Sequence, residues 1–124
     1  MSGATIVVRA NFDRPREVRD AEGSEVTGRP PRVVRLLGLA HEIERRIRAG
    51  ELRDYAQAAE VLGVTRARVS QITALTLLAP VIQEAILGLS AERGVISERQ
   101  LRVIVAEPVW EKQMRLWRLV RNHR

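Results

Sequence analysis

From residue 33 onward, aliphatic side chains recur every three or four positions, and glycine or proline repeatedly cuts the pattern. Val33, Leu36, Leu37, Ala40, Ile43 and Ile47 form the first such stripe, which Gly50 stops. This spacing lines apolar groups along one side of an α-helix. A chain so punctuated can bury its stripes only as several short helices around a shared core. Hydrophobic residues make up 45% of the chain but aromatics only 3%, so the core is one of Leu, Ile, Val and Ala.

Local signals set the helix limits. Asp54 with Gln57 three residues on reads as a capping box for a short helix from Tyr55 to about Val61. Gly63 ends it, and Thr65 caps a helix from Arg66 to about Leu77. Pro80 opens a helix to about Leu87, Ser97 with Gln100 caps another, and Pro108 fits the first turn of the last. The expected fold is mainly α, a helix-turn-helix bundle of about six helices. Residues 33–124 form the helical domain, with its helix-turn-helix at 54–77, and residues 1–32 form an arm. In that arm Ile6, Val8, Ala10 and Phe12 alternate as in a β strand. A Gly- and Pro-containing loop or loose hairpin follows.

The formal net charge is +6, and every Lys or Arg position except Lys112 is arginine. Such a surface favours a polyanionic partner, because cations displace counterions from phosphates. A solubilising, arginine-rich surface would give the same total. The chain has no cysteine, which excludes disulfides and thiolate chemistry. The start, MSGATIVVRANF, lacks a basic segment followed by a long apolar run, so no signal peptide is expected. No apolar run reaches membrane length. The expected location is the cytoplasm, in association with the nucleoid.

The window LGVTRARVSQI, residues 62–72, carries the functional reading. Ala59, a small residue, lies four before Gly63 and allows close approach of two helices. Gly63 permits a left-handed turn, and Leu62, Val64, Val69 and Ile72 supply the inner corner. On a helical wheel Val69, Ile72 and Thr76 point inward, whereas Arg66, Ala67, Ser70, Gln71 and Ala74 share the opposite face. That face holds the groups major-groove readout uses: arginine for guanine, glutamine for adenine, alanine for a thymine methyl. Thr65, Arg68, Gln57 and Arg53 flank it and are expected to hold the DNA backbone, although Arg68 is also placed to meet a neighbouring acid. No Asp or Glu occurs between Glu60 and Glu84. The alternative for the same spacing is a plain helical corner with a solvated polar face.

At this window the sequence resembles the central DNA-binding domain of the ParB/KorB family, from about Asp54 to Arg102. YAQAAEVLGVTRARVSQI is similar to that family's helix-turn-helix, LTLLAPVIQEAI to its next helix, and GVISERQLRVI to the segment after it. The resemblance implies double-stranded DNA as partner. It does not extend to the family's nucleotide-binding domain: RPREVRD is not its arginine-rich phosphate motif, and there is no glycine-rich phosphate loop. Neither nucleotide hydrolysis nor any cofactor is therefore implied. The layout also resembles small helix-turn-helix proteins encoded beside site-specific recombinases on mobile elements.

The last helix places Trp110, Met114 and Trp117 on one arc, with Lys112, Arg115 and Arg118 on the other side. It can close the core, or form a dimer or partner interface, since exposed tryptophan favours interfaces. His41 and His123 are far apart in sequence and form no zinc motif. No serine sits in a nucleophile elbow, and no carboxylate pair stands apart from arginines, so an enzyme is not expected. The expected function is sequence-specific DNA binding, in transcription regulation or as a recombination or partition accessory factor. A homodimer or DNA-assembled oligomer is expected. The alternative is an adaptor for a site-specific recombinase or another DNA-processing partner, bound through the tryptophan-bearing helix.

Overall fold

A computed structural model describes residues 30–89 and 96–122. The strand expected in the arm lies outside the described residues. Within them the chain is mainly helical, with six α-helices and one 3₁₀ turn.

Helix α1 spans Arg32–Arg48. Its stripe forms as the spacing predicts: Val33, Leu36, Leu37, Ala40 and Ile43 are buried, joined by Leu39, while Ile47 packs partly exposed at the edge. The helix is closed by Gly50 at φ 81°, after which the amides of Glu51 and Leu52 both return to the Arg46 carbonyl at 2.8 and 3.1 Å. This reversal drives Leu52 into the core. Arg46 is buried there too, because Glu42 and Glu51 take its guanidinium.

Helix α2 (Tyr55–Leu62) starts on Asp54, whose carboxylate accepts the Gln57 amide at 2.9 Å. The Gln57 side chain reaches back to the Arg53 amide at 2.6 Å, one residue before the cap. Gly63 ends α2 at φ 75°, and its amide bonds to Ala59 O at 2.8 Å. Helix α3 spans Arg66–Thr73, with the Thr65 hydroxyl accepting the Arg68 amide at 3.0 Å.

The chain then tightens into a 3₁₀ turn, Ala74–Leu77, instead of continuing as α-helix to Leu77. The hydroxyls of Thr73 and Thr76 bond to Val69 O at 2.9 Å and Thr73 O at 2.8 Å, the local competition with helix bonding that Thr offers. At three residues per turn Leu75 falls beneath Ile72. Leu75 and Thr73 are therefore buried, and Thr76, expected inward, is only half-buried.

Helix α4 (Pro80–Leu87) buries Ile82 and Ile86. Helix α5 (Glu98–Val105) starts on the Ser97–Gln100 capping box and buries Leu101 and Ile104. Helix α6 spans Trp110–Asn122. Pro108 precedes this helix instead of occupying its first turn, because Glu107 Oε2 binds the Val109 amide at 3.0 Å and Val109 O takes the first helical amides. Of the expected tryptophan arc only Trp117 is buried, with the Arg121 guanidinium 5.7 Å from its ring centroid; Trp110, in the opening turn, is 54% exposed. The other buried residue of α6 is Gln113.

Helix α3 is the hub. It packs against α1, α2 and the 3₁₀ turn, while α5 packs on α6 and on that same turn, and α4 on α1. Among the described residues no single helix is long and apolar enough to cross a membrane.

Candidate nucleic-acid interface

Helix α3 has two sides with different duties. Val69 and Ile72 are wholly buried against α1 and α2, with Leu62 beside them and Val64 half-buried at the corner. Arg66, Ala67, Ser70 and Gln71 are exposed on the other side. Ala74 begins the 3₁₀ turn and is half-buried, at the margin of this face. The outward face thus presents a guanidinium, a methyl, a hydroxyl and an amide on about two turns.

Four expected flanking residues hold separate positions. Thr65 is exposed, and because its oxygen accepts the Arg68 amide, its O–H remains a donor. Arg53 is exposed beside Asp54, at 3.5 Å between Nε and Oδ2. Arg53 and Arg66 line one shallow depression with Glu44, Ile47, Asp54 and Tyr55, so two cations meet at the start of α3. Gln57 is half-buried, its oxygen engaged by the Arg53 amide. It orders the α2 start and with it Arg53.

Arg68 meets the neighbouring acid. Its Nη1 and Nη2 lie 2.6 and 3.0 Å from the two carboxylate oxygens of Glu98, a bidentate pair. Arg32 Nη2 approaches the same carboxylate at 3.4 Å. Glu98 is only 5% exposed. Burial pushes its carboxyl up, but the hydrogen bond and charge of Arg68, with the charges of Arg102 and Arg32, outweigh that and hold it below its usual range. The pair ties α3 to the start of α5, and Arg32 adds the start of α1.

Sequence spacing could not show this partner, thirty residues away. The one available signal was an acid in the first turn of a capped helix, where a carboxylate is ordinary. Gln113 was missed as well. Its oxygen accepts the Ala79 amide at 2.7 Å, and its nitrogen donates to Glu107 O at 2.9 Å and Leu77 O at 3.4 Å. A glutamine that replaces three backbone partners has no pattern in a single sequence.

Elsewhere the polar groups serve the fold. His41 Nε2 shares a hydrogen bond of 2.6 Å with Gln83. Tyr55 donates its hydroxyl to Glu44, and burial, then this bond, pushes the phenol up. Among the described residues no three His, Cys, Asp or Glu side chains converge as a metal site. With these positions fixed, the likeness of the chain to known proteins adds nothing to them: no protein-family model, no curated protein and no solved structure matches it.

Proposed function

We propose that this chain binds double-stranded DNA sequence-specifically through α3, as a transcriptional regulator or as an accessory factor in recombination or partition. The observation that carries this reading is the outward face of the hub helix. Arg66, Ala67, Ser70 and Gln71 stand exposed on a helix whose other side is locked into the core. No carboxylate occurs anywhere in residues 61–83. A helix of this width enters the major groove, and these side chains match the donors, acceptors and methyls displayed there. Arg53 and Thr65 lie at its start, where they meet phosphates. A single unit reads few base pairs, so two or more copies act on a two-fold or repeated site.

The test is selection of bound genomic fragments, followed by gel shifts on the selected site. Arg66→Ala and Gln71→Ala each weaken specific binding by about 5- to 100-fold. Binding to any duplex falls steeply with salt, on a slope set by the phosphates contacted. If both variants bind as wild type does, α3 is not the reading helix.

A second reading has its own observation. Trp110, Leu77 and Val109 are 54%, 61% and 43% exposed. Trp110 and Leu77 line one depression with Val105, Ala106 and Pro108. Such an apolar surface suits a protein partner, as in an adaptor for a recombinase or another DNA-processing protein. Absence of binding to every duplex at low salt, with pull-down of such a partner lost in Trp110→Ala, favours it.

A further inference from the structure

Gln71 is exposed on the outward face, yet its amide is held. Arg68 Nη1, besides its bond to Glu98 Oε2, donates to Gln71 Oε1 at 3.0 Å. A guanidinium has donors and no acceptor. The Gln71 group that faces Arg68 is therefore the amide oxygen. The Nε2 group makes no hydrogen bond among the described residues. Arg68 is fixed in turn, since both its terminal nitrogens grip a carboxylate that is 5% exposed and that Arg32 also approaches. The Gln71 amide oxygen on α3 is thus linked, through Arg68, to a buried acid on α5.

We propose that Glu98, which makes no contact with DNA, is a specificity-determining positioning residue: through Arg68 it holds the Gln71 oxygen inward and its NH₂ group outward, so that Gln71 reads guanine in preference to adenine. The inference rests on the DNA-binding reading above and deepens it. Adenine offers an N7 acceptor and an N6 donor, and a glutamine reads it with both its nitrogen and its oxygen. Here the oxygen already accepts a charge-assisted bond from Arg68, which weakens it for the N6 donor. Guanine offers two adjacent acceptors, N7 and O6, which the two outward N–H groups satisfy. The wheel alone assigns Gln71 to adenine; the Arg68 contact reverses that assignment.

The test compares all four base pairs at each position of the selected site, for wild type, Gln71→Ala, Glu98→Gln and the double variant Arg68→Met/Glu98→Leu. Wild type should prefer guanine about tenfold at one base pair, and Gln71→Ala should lose preference at that pair. Glu98→Gln should lose the preference or turn it toward adenine at the same pair, leaving the other positions unchanged. Combining Gln71→Ala with Glu98→Gln should add nothing there. A purely structural role would weaken all positions together.

The double variant removes both charges and keeps an apolar fill, so it carries the test if Glu98→Gln does not fold. In the free protein, the ¹⁵N order parameter of the Gln71 side-chain amide should fall in both variants, a readout that needs no DNA. A wild-type preference for adenine at the pair lost in Gln71→Ala, or the same guanine preference in both Glu98 variants, overturns the positioning role while DNA binding stands. Failure of wild type to bind any duplex overturns both.

Discussion

Replacing Gln113 with methionine keeps the side chain's length and apolar volume but removes every polar bond it makes. Ala79, whose amide it accepts, is 3% exposed. Among the described residues no other acceptor reaches that amide, and an unpaired buried N–H costs about 1–3 kcal/mol. The two carbonyls lose donors as well. The bond to Leu77 O is long at 3.4 Å and Glu107 is only half-buried, so together they add about 1 kcal/mol. Gln113→Met should therefore destabilise by about 2–4 kcal/mol in all, a fall in Tm of roughly 8–16 °C for a domain of this size. Urea unfolding followed by the emission of buried Trp117, four residues along the same helix, measures it, with circular dichroism as a check on two-state behaviour. Because Gln113 joins α6 to the segment that follows α3, the loss should also speed hydrogen exchange at the Ala79 amide. If Gln113→Met unfolds within about 0.5 kcal/mol of wild type, the Ala79 amide does not depend on Gln113.

Other expectations follow from single contacts. Gly63→Ala forces a Cβ into left-handed backbone at φ 75° and should cost about 1–2 kcal/mol by thermal melting, with Gly63→Asn recovering part of it. Gly50→Ala, also at positive φ (81°) but with open space around the added carbon, should cost the strain alone. The Glu98 carboxyl titrates below its ordinary 4.5 when folded, so its contribution is complete above that pH and is lost as pH falls below 4.5 through the lower folded value. Stability measured from pH 6 down to pH 2.5 should drop, and Glu98→Gln should flatten that part of the profile.

Much of the fold was legible because its signals are local. The Asp54 and Ser97 caps and the left-handed Gly63 are each decided within four or five residues, and the α1 stripe by one three- and four-residue spacing repeated along a single helix. The division of α3 into an inward and an outward side followed from its wheel for the same reason. The departures arise where a distant group or a hydroxyl intervenes. Thr73 and Thr76 retighten the end of α3, and this brings Leu75 inward in place of Thr76. The pairing of Arg68 with Glu98 and the burial of Gln113 are tertiary facts between segments about thirty residues apart. Trp110 and Trp117 share one side of α6, but only Trp117 reaches the core, whereas Trp110 stands in the opening turn at 54% exposure. At the candidate site the sequence showed which side chains face outward, but not what holds them.

The hub position of α3 divides its residues into those the molecule can exchange and those it cannot. Val69 and Ile72 are fully enclosed by other helices, and any change there disturbs the whole bundle. Arg66, Ala67 and Ser70 make no such commitment and are exposed. Drift at those three positions would leave the scaffold standing. Gln71 lies between the two groups, outward yet bonded to Arg68. Descendants of this chain can therefore vary at three neighbouring surface positions without disturbing the fold, whereas a change at the fourth is coupled to Arg68 and its buried partner Glu98.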